Sequence, residues 1–397
     1  MSETRSAVAP APTTSPDPVA PTREQTPPRR RPNLNALLIE GRALIALLLI
    51  IAIFASLSPK YLGVDNLIIM TRHVAMNAIL AIGMLMVILN GGIDLSVGST
   101  VGLSGVIAGS LLEGWRIPIL DVFAYPAVWV VVVLSLGVGV LVGYVNGVLV
   151  ARLKVAPFIA TLGMLYVARG IALLITNGTP FSKLRGEDAL GNTGFLIIFK
   201  SSPLGLPMAV WVMILFAIIF AIVLSRTPFG RWLYATGSNE RAAELSGVPV
   251  KKVQTRIYVL SGLCAAAVGL LLTGDLSSAT PAAGEFFELN AIAAVVIGGA
   301  ALSGGRGTIR GTLIGAFVIG FLVDGLVLVG VSQFWQQIIK GAVIIIAVAL
   351  DQFQQTIQKR RAVRRIGAPE STLSEPKSTP PSKSSEEGPL ADNTVTR

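Results

Sequence analysis

Ten apolar stretches run between two polar tails, and this feature decides which solvent the chain must fold in. They fall at roughly 43–57, 74–89, 95–112, 125–150, 155–175, 207–224, 257–273, 289–302, 312–331 and 334–350. Only 14% of the residues are charged and 52% are hydrophobic, whereas a soluble chain carries about 25% charge. The chain therefore reads as an all-α polytopic membrane protein of about ten transmembrane helices with Gly-rich packing. A straight span needs about 20 residues, so 43–57, 74–89 and 289–302 are short. These three are expected to recruit flanking residues or to be broken or re-entrant.

Charge supplies the orientation. With the N-terminus inside, 24 Lys and Arg residues fall on the cytoplasmic side and six outside, while Arg169 and Lys340 lie within spans. That asymmetry follows the positive-inside rule, so both termini are expected in the cytoplasm. It also accounts for the net charge of +10 without nucleic acid, because the basic residues act as topological anchors. The division that follows is a tail at 1–36, a transmembrane domain at 37–352 and a second tail at 353–397 that is basic at first. Residues 1–32 hold eight of the 23 prolines, and 367–397 are rich in Pro, Ser, Thr and Glu. Neither tail can bury enough apolar surface to offset its chain entropy, so both are expected to be disordered. The Arg29-Arg30-Arg31 run resembles the start of an export signal but lacks a small-x-small cleavage site, which favours an uncleaved tail. One cysteine rules out a disulfide framework or a cysteine-based metal site, and one histidine removes most His-dependent metal or base chemistry, so no catalytic or metal residue is assigned.

Small residues show how the helices associate. Gly98, Gly102, Gly105 and Gly109 form one stripe, Gly139, Gly143 and Gly147 a second, and Gly311 and Gly315 open a third. Helices in lipid pack where small side chains let backbones approach. There is also a faint repeat. Residues 91–98 (GGIDLSVG) match 298–305 (GGAALSGG) at five of eight positions, and the offset of six spans gives both copies one orientation.

Two polar segments carry the functional information. In Asn90-Gly91-Gly92-Ile93-Asp94-Leu95-Ser96-Val97-Gly98 the paired glycines break a helix, and Asp94 is placed to cap the next one. A broken polar turn of this kind either completes helix ends or borders a pathway or gate. The second segment lies in the long loop 226–256. There Asn239 is predicted to cap a short helix, Glu240 suits its first turn, Gly247 supplies a left-handed stop, and Pro249 prevents continuation. A helix so charged cannot span a membrane. Its small alanines and charged side chains suit docking to a soluble partner.

Asn90–Ser99 resembles the Gly-Ile-Asp-Leu-Ser-Val-Gly-Ser signature of permease subunits in the ribose/xylose/arabinose class of bacterial ABC sugar importers. The loop 237–249 is similar to the Glu-Ala-Ala…Gly motif by which such permeases grip their ATPases, with Arg241 standing between the Glu and the alanines. Residues 290–320 also resemble the C-terminal half of these permeases. The likeness covers roughly 40–352. It implies a homodimeric permease in the bacterial plasma (inner) membrane, moving a pentose or hexose by alternating access. It further implies a cytoplasmic ATP-binding subunit, commonly with tandem domains in one chain, and an extracytoplasmic sugar-binding protein. ATP and Mg would sit on the partner, and no cofactor or metal on this chain. In agreement, no Gly-x-x-x-x-Gly-Lys-Ser/Thr loop occurs in the sequence. Asn239, Glu240, Arg241, Ala243, Glu244 and Gly247 would form the coupling helix, and Asn90, Gly91, Gly92, Asp94, Ser96 and Gly98 the signature loop.

Three other readings compete. An ion-coupled secondary transporter needs intramembrane ionisable groups, for which Arg169, Asp324 and Lys340 are the candidates, Asp324 and Lys340 as a possible pair. An intramembrane enzyme needs paired carboxylates or an activated nucleophile, and the lone His73 and the apolar surroundings of Cys264 offer neither. An ABC permease for branched-chain amino acids or nucleosides would share the coupling loop. For a sugar pathway the amide and hydroxyl candidates are Asn77, Asn146, Thr161 and Asn290, each of which could equally serve an interhelical hydrogen bond.

Overall fold

The computed structural model describes residues 41–117, 122–346 and 348–349. The tails at 1–36 and 353–397 lie outside the described residues. Among the described residues, each of the ten apolar segments contains helix. In order the elements are α1 (Arg42–Leu57), α2 (Val64–Leu89), α3 (Val97–Glu113), the strands β1 (Trp115–Ile117) and β2 (Val122–Ala124), α4 (Val128–Ala151) and α5 (Pro157–Thr176). Then come α6 (Phe195–Phe199), α7 (Met208–Arg226), α8 (Pro228–Ser238), α9 (Glu240–Leu245), α10 (Val250–Leu276), α11 (Phe287–Ile297) and α12 (Ile309–Leu328). Helical backbone resumes over 333–346 and 348–349. The two strands pair antiparallel as a small hairpin, with Arg116 opposite Phe123.

Six helices are long and apolar enough to cross a membrane by length and composition. One short segment resolves as expected by recruitment: 74–89 becomes the 26-residue α2 by extending back to Val64. Another resolves by breakage. The stretch 289–302 yields only the 11-residue α11, about 16 Å of helix, against a hydrocarbon core of about 30 Å.

A helix that is apolar all round belongs either in a core or in lipid, and this bundle contains both kinds. The most apolar windows of α2 and α10 are 83% and 78% buried, whereas those of α4, α7 and α5 are 33%, 28% and 22% buried. The outer helices present Leu134, Leu141, Tyr166, Leu174, Leu215 and Ile222 as an apolar jacket.

The glycine stripes are explained by what each one touches. On α4, a methyl group at Gly139, Gly143 or Gly147 would meet Gly262, Tyr258 or Thr255 of α10. On α12, Gly311 and Gly315 lie against the backbone of Gly298 and Ala294. The α3 stripe has a different partner. After α10 the chain does not run directly into another helix; residues 279–284 descend as irregular backbone along α3. Gly109 meets Ala279, Gly102 meets Pro281 and Ala283, and Gly98 meets Gly284 and the Glu288 carboxylate.

Irregular backbone among transmembrane helices is tolerated only where protein buries it and satisfies its polar groups. Arg169 of α5 supplies part of that satisfaction by donating from Nη1 to the carbonyl oxygens of Pro281 and, at 2.9 Å, Ala283. This residue, a candidate ion-coupling group in the sequence, thus has a structural task. Arg169→Leu is expected to cost about 1–3 kcal/mol, because two part-buried carbonyls lose their donor. Arg169→Lys should recover part of this. Thermal midpoints in detergent check both.

Asp324, the other half of the ion-coupling idea, accepts from His73 Nδ1 at 3.0 Å. Among the described residues, the possible Asp324–Lys340 pair is not formed. Nearby, Arg72 donates to Asp275 at 2.6 Å and ties α2 to the end of α10.

Candidate functional site

One end of the bundle gathers the two polar segments and both copies of the repeat. Its construction starts where α2 stops. Gly91 adopts φ +80°, the left-handed region open to glycine, and the chain reverses while Gly91 and Gly92 donate backward to Ile88 and Val87. Gly92 is held close to the Tyr258 hydroxyl, so a side chain there would collide with it.

Asp94 then turns into the protein, with 1% of its surface exposed. The expectation that Asp94 caps α3 is corrected: Ser96 occupies the cap position. Asp94 closes the turn before it, with Oδ1 accepting from the Ser96 amide at 3.0 Å and the Ser96 hydroxyl at 2.6 Å. Its Oδ2 accepts from the Ser261 hydroxyl of α10 at 2.9 Å. Burial pushes the Asp94 carboxyl above the usual carboxylate range, and the bonds from Ser96 and Ser261 oppose that shift. Asn146 of α4 donates to the Ser96 hydroxyl at 2.8 Å, and Thr161 of α5 donates to the Ile93 carbonyl at 3.1 Å. The signature loop is therefore pinned by α4, α5 and α10 together.

Two of the candidate pathway residues make these bonds: Asn146 and Thr161 are fully buried. Asn77 is half-buried on α2. Asn290 borders a cleft that also takes in Gln333, Gln337 and Lys340.

The second repeat copy packs directly on the first. Gly304 and Gly305 have φ +88° and +71°, and the Gly305 amide donates to the Leu89 carbonyl at 2.9 Å. Gly237, one residue short of the end of α8, wedges between Leu89 and Gly305, with no room for a β-carbon. The Tyr234 hydroxyl of α8 also donates to the Gly307 carbonyl at 2.8 Å. One residue beyond α8, the Asn239 side chain accepts from the Ala242 amide at 3.0 Å and starts α9. Gly247 closes it with φ +81°, and Val248 donates back to the Ala243 carbonyl at 3.0 Å.

The result is a small knob on a fixed stem. Ala243 is buried against the protein, whereas Glu240, Arg241 and Glu244 are exposed and Leu245 is 75% exposed at the tip. The Arg241–Glu244 pair at 3.0 Å is too exposed to contribute much stability. What fixes the knob is its backbone capping and the glycine contacts of α8. Through α8, α9 is thus joined to Leu89 and to the second glycine loop. The parts missed in the sequence are Ser261 and Tyr258, ordinary helix residues until packing sets them beside 92–94.

Similar proteins place this architecture. The family model described as branched-chain amino acid transport system / permease component matches residues 66–348. The ribose import permease protein of Escherichia coli is 43% identical over 333 residues, covering 83% of this chain and 99% of that one. The fructose import permease protein of Rhizobium meliloti is 38% identical over 78% of this chain and 84% of its own length. The galactose/methyl galactoside import permease protein of Salmonella typhimurium is 36% identical over 81% and 96% respectively. No solved structure matches the chain. With the matched region running from the second helix to the last one described, and with relatives aligned over nearly their full length, this chain belongs to that family of multi-pass membrane permeases, and it is a transport subunit.

Proposed function

We propose that this chain is the membrane-spanning subunit of an ATP-binding-cassette importer that brings a monosaccharide of the ribose type into the cytoplasm. The observation that carries the coupling mechanism is the fixed joint between α9 and the two glycine loops through Gly237, Leu89 and Gly305. The relatives named for ribose, fructose and galactose favour a sugar over the branched-chain amino acid in the family description.

In this reading two copies assemble, both termini are cytoplasmic, and the loop 226–256 receives a partner ATPase, commonly with tandem domains, that holds ATP and Mg. Glu240, Arg241, Glu244 and Leu245 meet that ATPase, and Asn239, Ala243 and Gly247 shape the helix that presents them. Nucleotide-driven motion of α9 reaches Asn90–Gly98 through the stem. At the opposite end lies a basin of about 1100 Å³ bordered by Glu113, Lys183, Arg185, Glu187, Asp188 and Lys200. Its mixed charges suit docking of an extracytoplasmic sugar-binding protein.

The test is copurification with the cognate ATPase. Leu245→Asp puts an unpaired charge at the centre of the contact and is expected to reduce recovery of the ATPase at least about tenfold. Asn239→Ala, which loses about 1 kcal/mol of capping, should weaken it modestly. Undiminished recovery with Leu245→Asp and Glu240→Ala combined would overturn the assignment of α9.

A further inference from the structure

We propose that the cleft between the helix break at 277–286 and the C-terminal helix 333–346 is a binding subsite for a neutral polyhydroxyl solute on its way through the membrane. The proposal rests on the importer reading above and adds where the sugar is held.

The break itself points to the place. Discontinuous helices, with irregular backbone beside a cavity, are how membrane transporters expose polar groups near mid-bilayer. Here the break ends at Phe286, which has φ +63°, a conformation that a bulky residue adopts only under strain from its surroundings. Such strain is retained mainly where it serves a site. The Phe286 ring is half exposed and stands with Phe287 at a cleft of about 340 Å³, within the range of small-ligand pockets.

The polar lining is dense. Glu285, Asn290, Gln333, Gln336, Gln337 and Lys340 all border the cleft. Gln336 donates one amide hydrogen to the Val331 carbonyl at 2.8 Å. Among the described residues, the side chains of Glu285, Asn290, Gln333, Gln337 and Lys340 make no hydrogen bond or ion pair. Lys340 lies two turns into its helix, about 10 Å from the helix start. An open charge two turns into a span cannot face hydrocarbon without a large penalty, and open amides beside it lose hydrogen bonds unless they too are met. They must meet water, a solute or protein.

The chemistry favours a sugar. Amide side chains offer donors and acceptors together, which matches hydroxyl groups that both donate and accept. Two aromatic faces suit the C–H surfaces of a sugar ring. One acid and one base leave the cleft without net charge, so it has no preference for an ionic solute.

The sole cysteine, Cys264, is buried, which makes single-cysteine probing clean. Gln333→Cys and Gln337→Cys would be built in a Cys264→Ala background, assembled with the ATPase and binding protein in proteoliposomes, and exposed to a charged methanethiosulfonate reagent. The expected result is rapid labelling that D-ribose slows several-fold and an equal concentration of leucine does not. Absence of labelling would mean the face is covered, and oxidative cross-linking between copies would mean it is a subunit interface. Either outcome overturns the proposal, as does labelling that ribose leaves unchanged. Asn290→Ala should raise the ribose concentration for half-maximal uptake by roughly tenfold, the loss of about one well-made hydrogen bond. Ribose protection does not require ATP hydrolysis, so a failure of the coupling reading would show separately, as lost ATP-driven uptake with protection intact.

Discussion

Asp94→Ala is expected to lower the stability of the membrane-embedded fold by about 3 kcal/mol or more, while Asp94→Asn costs about 1 kcal/mol. The carboxylate accepts from the Ser96 amide, the Ser96 hydroxyl and the Ser261 hydroxyl, all buried. Alanine strands those donors where no water replaces the acceptor, and a stranded buried donor costs about 1–3 kcal/mol. Asparagine keeps one carbonyl oxygen for Ser96, and the Ser261 hydroxyl can rotate to accept from its amide. Burial already disfavours the charged form of Asp94, so loss of charge is the smaller part of the change. Thermal midpoints in nanodiscs separate the two variants. Equal losses for Asn and Ala would mean that the charge, rather than the acceptor geometry, holds the loop.

Gly237→Val should have an effect of similar size by the opposite route, overpacking instead of an unmet hydrogen bond. A side chain at 237 would occupy the space of the Leu89 carbonyl and the Gly305 amide. These are backbone atoms that cannot swing aside, and such insertions typically cost about 1–3 kcal/mol, occasionally more. If α8 shifts to make room, the Gly305–Leu89 bond breaks and the stem of α9 loosens. The expected phenotype is a chain that still inserts but whose ATPase partner hydrolyses ATP without moving sugar. Gly163 on α5 is the control, since nothing lies within 4 Å of a β-carbon built there. Gly163→Ala should be neutral or slightly stabilising, because alanine suits a helix better by about 1 kcal/mol. Equal transport by Gly237→Val and Gly163→Ala would contradict the joint.

Much of this architecture was legible in the residues because membranes restrict the choices. Apolar run length gave the helices, and the glycine spacings marked the close contacts of α4 on α10 and α12 on α11. The Asn239 cap and Gly247 stop were readable because capping is local chemistry. The broken span was foreshadowed by the shortness of 289–302, but its partner was not. That α3 receives irregular backbone rather than a helix depends on Arg169, which approaches 281–283 from over a hundred residues away in sequence. Asn146 and Thr161 make bonds between helices, a role the sequence could not separate from lining a pathway, because an inward polar side chain and an interhelical one have the same sequence signature. Of the cleft at 285–340 the sequence singled out Asn290 and Lys340 but not their meeting, since Gln333, Gln336 and Gln337 carry no motif and packing alone sets them beside the break. The meeting of the two glycine loops was visible only as a weak repeat, whose contact through Leu89 involves backbone atoms that no side-chain pattern encodes.

The most direct measurement is ribose uptake into proteoliposomes containing this chain, its ATPase and its binding protein, with ATP supplied on the ATPase side and no ion gradient. The account predicts ATP-dependent accumulation that requires the binding protein and is abolished by Leu245→Asp in α9. Uptake by this chain alone under a proton or sodium gradient, indifferent to ATP and to α9, would contradict it.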